Sequence, residues 1–154
     1  MGHRAIRRVG SLTLSTKHLP RDVLEKVLAH DAPFAELYGF VVEEYGEGTA
    51  TVRLPYNQKL IRPGGTINGP AMFALADFAM YIAVMGAIGP VSLAVTTNMN
   101  IDFLRKPADT DLIGEVSLLK LGKRLAVGRV DIHADGEKEL CAHVTGTYSI
   151  PPRE

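Results

Sequence analysis

The chain has 154 residues, enough for one domain with one core and too few for two. Hydrophobic residues make up 46% of it, charged residues 22% and aromatics 6%, with no Trp, which excludes a disordered, collagenous or coiled-coil chain. Seventeen basic side chains balance seventeen acidic ones, so no overall field draws the protein to nucleic acid or to an anionic membrane.

The balance hides an asymmetry. Arg4, Arg7, Arg8, Lys17 and Arg21 lie in the first 21 residues with no acid among them, which leaves 12 basic against 17 acidic residues behind. Residues 1–19 therefore read as a flexible basic arm, either a solvated terminus or an organelle presequence, and residues 20–154 as the domain. Gly10 to Leu14 is too short and too polar for a secretory h-region. Pro20, with Arg21 and Asp22, opens a short amphipathic helix carrying Val23, Leu24, Val27 and Leu28 at helical spacing. Ala32–Pro33 ends it, and Phe34, Leu37 and Tyr38 continue a helical turn onto the core. Strands over Phe40–Tyr45 and Thr49–Pro55 follow, joined by a turn at Gly46-Glu47-Gly48. A loop runs from Asn57 to Ile67.

Residues Pro70 to Ile88 are nearly all apolar and long enough to cross a bilayer. Asp77 sits near the middle, where a membrane would exact several kcal/mol, and small residues with Gly86 interrupt the run. A buried central helix of a folded domain is the reading that remains, with no membrane span. Four strand-like runs come next: Val91–Leu104, Leu112–Leu121, Leu125–Ala134 and Leu140–Ile150. In the last, Leu140, Ala142, Val144 and Tyr148 alternate with Cys141, His143, Thr145 and Thr147, the period of a half-buried antiparallel strand. The fold class is α+β, an antiparallel sheet wrapped around one helix that has no polar face. Val91–Asn100 is a long strand suited to a sheet edge. Such an edge needs protection, which a second copy can give.

The stretch from Arg62 to Asp77 carries the chemistry. A glycine-bearing loop runs into a helix start, where Asn68 is a preferred N-cap and Pro70 suits the first turn. The Gly69 amide then points out at the positive end of the helix dipole, able to hold an oxyanion or polarise a carbonyl. Asp77 lies two turns on. In apolar surroundings its carboxylate must be paired or functional, and hydrogen bonding to a neighbouring backbone or subunit is the alternative role. His133 and His143 fall on polar strand faces and form no metal set with carboxylates at ligand spacing. Met72, Phe73, Met80, Tyr81 and Met85 are core residues, and one side of that helix can line an acyl pocket. Arg105, Lys106, Lys123 and Arg124 fall at strand ends. Cys141, the single cysteine, cannot form an internal disulfide, and a reducing compartment such as the cytoplasm is the simplest setting, or an organelle matrix if the arm is a presequence.

Asn68-Gly69-Pro70 followed by Leu75-Ala76-Asp77, with Asn98-Met99-Asn100-Ile101-Asp102-Phe103-Leu104-Arg105-Lys106-Pro107 downstream, resembles the hotdog-fold acyl-CoA thioesterases of the phenylacetate-degradation type. These are a branch of the 4-hydroxybenzoyl-CoA thioesterase superfamily, and the resemblance spans residues 34–150. In that branch His-Gly-Gly opens the helix and the Asp follows nine residues after the His. The resemblance implies a single hotdog domain in which Asp77 is the catalytic carboxylate, as nucleophile or as base for water. It implies further that the Gly69 amide polarises the thioester carbonyl and that Thr96 positions the attacking water. Asn68 stands at the family His and Pro70 at its second Gly. Arg62 stands where a relative has an Asn that contacts substrate or leaving group, and Asn68 can still donate a hydrogen bond to substrate. Implied too are homodimers or homotetramers with sites shared between subunits, and no cofactor beyond the coenzyme A carried by the substrate. The coenzyme's phosphates need basic partners, for which Arg105, Lys106, Lys123 and Arg124 are the candidates. Thioester hydrolysis asks little more than one carboxylate and one oxyanion donor, because a thiolate leaves readily. A non-catalytic acyl-CoA-binding module is the alternative. A hydratase or dehydratase would want a His near the helix, and none lies between His30 and His133.

Overall fold

The computed structural model describes residues 18–152, so the arm expected over residues 1–19 lies outside them apart from His18 and Leu19. Leu19 already belongs to the core: it is fully buried, and its carbonyl accepts a 2.6 Å hydrogen bond from the Tyr45 hydroxyl.

Helix α1 (Arg21–Asp31) starts after Pro20 and carries Asp22 in its first turn, where the helix dipole favours an acid. It stops where Pro33 forces Ala32 out of the helical region, at φ −133°. Helix α2 (Phe34–Tyr38) ends on Gly39 at φ 75°, the left-handed cap a glycine takes without strain. A ladder of rings pins it: Tyr38 stacks on Phe40, Phe40 on Phe78 at 4.7 Å, and Phe34 packs perpendicular to Phe78. Strands β1 (Val41–Tyr45) and β2 (Thr49–Leu54) follow the expected hairpin.

Helix α3 (Gly69–Ile88) is the long apolar segment, and its buried residues point to all sides. It is the one described helix long and apolar enough to cross a bilayer, and most of it is enclosed by the sheet. That sheet is formed by β1 and β2 with β3 (Val95–Phe103), β4 (Leu112–Leu121), β5 (Leu125–Ala134) and β6 (Leu140–Ser149). Its order is β1-β2-β4-β5-β6-β3, and each neighbouring pair is antiparallel. One six-stranded sheet around one central helix is the hotdog arrangement. The strand expected to lie at an edge does so, although it begins at Val95 instead of Val91. Pro90 and a turn closed by Ala94 N–H donating to the Val91 carbonyl delay it.

Close approach of helix to sheet is set by missing side chains. A methyl group on Gly86 would drive into the carbonyl oxygen of Gly46, backbone in the β1–β2 turn. A methyl on Gly128 would instead meet the Met80 sulfur at 2.6 Å, the flexible part of a side chain. Gly86→Ala gains about 1 kcal/mol of helix propensity, but overpacking costs about 1–3 kcal/mol and a hydrogen-bonded turn yields less than a thioether. Thermal melting should therefore show Gly86→Ala as destabilised, and more so than Gly128→Ala; the reverse order would mean that the turn, not Met80, gives way.

The alternation read for β6 holds at Ala142, Val144 and Tyr148 and fails at its start. Cys141 is buried as well, and Leu140 only half so. The reason is a bulge: Ile132 pairs with Ala142 but His133 with Leu140, leaving Cys141 as the extra residue, turned inward. Its thiol donates to the Ile132 carbonyl at 3.3 Å, and burial pushes its pKa from 9.0 up to about 11. The neutral thiol is thus favoured in the fold, a contribution present below pH 9 and lost as pH rises towards 11. Iodoacetamide at pH 8 should leave Cys141 untouched in the native protein and alkylate it once unfolded, as mass spectrometry can read; equal rates would show an accessible thiolate.

At the end of the sheet where β5 turns into β6, Arg53 binds three carboxylates, those of Glu43, Asp111 and Asp135. Asp111 also accepts the Tyr56 amide at 2.7 Å, so this cluster ties β1, β2 and the β5–β6 turn to the start of β4. The Arg53 hydrogen bond holds the Asp135 carboxyl below its ordinary range.

Candidate active site

The loop before α3 is a small built hairpin. Asn57 caps a single 3-10 turn over Gln58–Leu60, Ile61 bridges to Ile67, and the Arg62 amide donates to the Thr66 carbonyl at 2.8 Å. Ile67 is buried at its foot and Arg62 is exposed at its tip. The Asn68 amide, expected as cap and as a substrate contact, is used inside the chain. Its Oδ1 accepts the Ala71 N–H at 2.8 Å and its Nδ2 donates to the Leu60 carbonyl at 2.7 Å. The backbone N–H of Asn68 goes to that same carbonyl.

This arrangement decides which helix amides are free. A helix leaves its first N–H groups without intrahelical acceptors. Pro70 has none to offer, Ala71 is taken by the Asn68 side chain, and Met72 by the Asn68 carbonyl at 3.4 Å. Gly69 remains, partly exposed, its N–H given to no acceptor among the described residues. The ring of Phe103, 55% exposed at the end of β3, lies over its Cα side.

Gly69, Phe73 and Asp77 lie at i, i+4 and i+8, one stripe of α3. It is a stripe the sheet leaves open, for Phe73 is 37% exposed and Asp77 half-buried, while Ala71, Met72, Leu75, Ala76 and residues 78–86 are buried. Asp77 is thus not sealed in apolar surroundings, and its partners are hydroxyls. Thr96 Oγ1 donates to Asp77 Oδ1, and the Tyr148 hydroxyl oxygen lies 2.8 Å from both that Oδ1 and the Asp77 backbone carbonyl. Thr96 and Tyr148 are register partners on β3 and β6. A bulge between Thr96 and Asn98 bends β3 at this point, the device that re-aims a side chain beside a site. Oδ2 receives no hydrogen bond among the described residues. Burial, and next the Asp77 charge, raise the Tyr148 pKa far above a phenol's usual value, so the group stays a donor.

Thr96, which the family resemblance singles out, therefore lies against Asp77, and so does Tyr148, which the strand alternation alone places on an inward face. Asn68 and Gly69 come together at the helix start and Arg62 nearby. The basic residues do not converge. Arg105 and Lys106 are exposed past β3, at its Phe103 end, with Arg105 paired to Glu139. Lys123 and Arg124 sit in the β4–β5 turn, at the opposite end of the sheet, where Arg124 donates to the Ile150 carbonyl at 3.2 Å. His143 pairs with Asp131 at 2.7 Å and His133 with the Ala134 carbonyl, both away from α3.

The profile of the Thioesterase superfamily matches residues 64–141, from the loop through α3 to β6. A provisionally named esterase of Thermoplasma acidophilum is 34% identical over 128 residues, 82% of this chain and 94% of that protein. The crystal structure of a provisionally named thioesterase from Silicibacter sp. TM1040 superposes with a TM-score of 0.79 at 39% identity, covering 93% of this chain and all of the other. A mutant of the phenylacetic acid degradation protein PaaI from Thermus thermophilus gives 0.68 at 27% identity, over 77% of this chain and 99% of that one. Matches that run through nearly the whole length of such relatives, on the same helix-in-sheet frame, make this chain a member of the thioesterase superfamily and a thioester hydrolase of the hotdog type.

Proposed function

We propose that the chain hydrolyses acyl- or aryl-CoA thioesters to the free acid and coenzyme A, with Gly69 and Asp77 at the reacting carbonyl. The observation that carries this is a pair of groups on one open helix stripe that no described residue engages: an N–H at the positive helix end and a carboxylate oxygen, Oδ2. The amide polarises the thioester carbonyl and holds the oxyanion. Oδ2 takes the proton of an attacking water, or attacks directly to give an anhydride that water then opens. Collapse expels the thiolate, and no resident cofactor is needed. Phe73, Met99, Ile101 and Phe103 supply apolar surface for the acyl group, and Arg62, Arg105, Lys106, Lys123 and Arg124 are the cations available to phosphates.

One protomer does not make the site. Eight residues of helix separate Gly69 from Asp77 by about 12 Å, whereas both groups must come within roughly 3 Å of one reacting centre. The edge strand supports a solution. β3 meets Asp77 through Thr96 at its start and Gly69 through Phe103 at its end. Antiparallel pairing of two β3 edges about a two-fold axis lays the end of one beside the start of the other, and so brings Gly69 of one copy to Asp77 of the next. The working unit is then a homodimer, alone or within a homotetramer. Thiol release from a panel of acyl- and aryl-CoA substrates tests the reading: wild type should turn over at least one, and Asp77→Ala none. Binding without turnover by wild type would favour the non-catalytic module.

A further inference from the structure

We propose that Tyr148 is a positioning residue for the hydrolysis, holding with Thr96 the Oδ1 atom of Asp77 so that Oδ2 is the oxygen presented to water or thioester. The inference rests on the reading of Asp77 given above and adds to it a residue and an atom. A carboxylate on a helix is free to rotate about its terminal bond, and its two oxygens are equivalent until something distinguishes them. Here both hydroxyls converge on one of them. Tyr148 is 3% exposed and locked between β3 and β5 by its register with Thr96 and Ala126, so its hydroxyl has little freedom to follow a moving carboxylate. Its single proton is shared between Oδ1 and the carbonyl of the same residue, at 2.8 Å each, which ties backbone and side chain of Asp77 to one fixed point. Thr96, whose proton is already given to Asp77, can meet water as an acceptor only.

Tyr148→Phe keeps the ring and removes the hydroxyl, so the fold should hold, as circular dichroism and melting will show. Misplacing a reacting group by about 1 Å can cost about 100-fold in rate, and Thr96 still grips Oδ1. Tyr148→Phe should therefore lower kcat about 10- to 100-fold with KM within about twofold. Thr96→Val should do the same, and the double variant should approach Asp77→Asn. The Asp77 carboxyl carbon resonance, in protein labelled with 13C at aspartate, should move in Tyr148→Phe at neutral pH. An unmoved resonance, or wild-type kcat with raised KM, overturns the assignment. Absence of turnover in wild type strikes the hydrolase reading instead, while the resonance still decides whether Tyr148 grips Asp77, so the two failures are told apart.

Discussion

Asp77→Asn should fold and melt like wild type yet lose hydrolysis by at least about 100- to 1000-fold, the range spanned by losing a general base or an oxyanion donor. The substitution is close to isosteric, and the amide oxygen can take the place of Oδ1, accepting from Thr96 and Tyr148 as the carboxylate does. The amide nitrogen then occupies the position of Oδ2. It can neither accept a proton from water nor attack a carbonyl, so chemistry fails where packing does not. Asn68→Ala offers the contrast. It removes a cap worth about 1 kcal/mol, frees the Ala71 N–H and takes one of its two donors from the Leu60 carbonyl, so it should lower the melting temperature more than Asp77→Asn and turnover far less. Both variants are read by thiol release on the best substrate and by thermal melting. Wild-type turnover in Asp77→Asn would make Asp77 a structural partner of two hydroxyls and remove the catalytic assignment.

The fold was legible where one kind of residue dominates a segment. An apolar run from Pro70 to Ile88 with Asp77 inside it admits few arrangements other than a helix enclosed by sheet, and strand patterns on both sides supply that sheet. What patterns do not carry is the register. Cys141 is buried because of a bulge against Ile132 and His133, and a strict period of two assigns it to the outside. The start of β3 depends on a turn at Val91–Ala94 that no residue type there announces.

The site divides in the same way. Asn68, Gly69 and Pro70 could be read as a helix start from residue type alone, and Asp77 from its isolation among apolar neighbours. That Gly69 holds the free amide follows from what its neighbours do: Pro70 lacks an N–H, and Asn68 consumes the next. Tyr148 lies 71 residues from Asp77 and enters the site only through the pairing of β3 with β6. The one sequence signal was a hydroxyl-bearing ring on an inward strand position, where a phenol must find a partner.

The separation of Gly69 and Asp77 along α3 yields the sharpest expected result, restoration of activity from two dead proteins. Gly69→Pro removes the free N–H with little strain. Proline is favoured at the first helical position, Asn68 is already extended at φ −69° and ψ 154° as a residue before proline must be, and the half-exposed Phe103 ring can shift. Gly69→Pro should lose about 100- to 1000-fold in kcat, as Asp77→Asn does. Mixed after partial unfolding and refolded together, the two form hybrid dimers in which one site draws Gly69 from one copy and Asp77 from the other, both unaltered. The second site of each hybrid carries both lesions. Random pairing under two-fold symmetry makes half the dimers hybrids, so the mixture should regain about one quarter of wild-type activity. A site built within one chain allows no such recovery, because every chain in the mixture is broken. A mixture as inactive as its components, with hybrid dimers demonstrated by differential tagging, would rule out a site shared across the β3 edge.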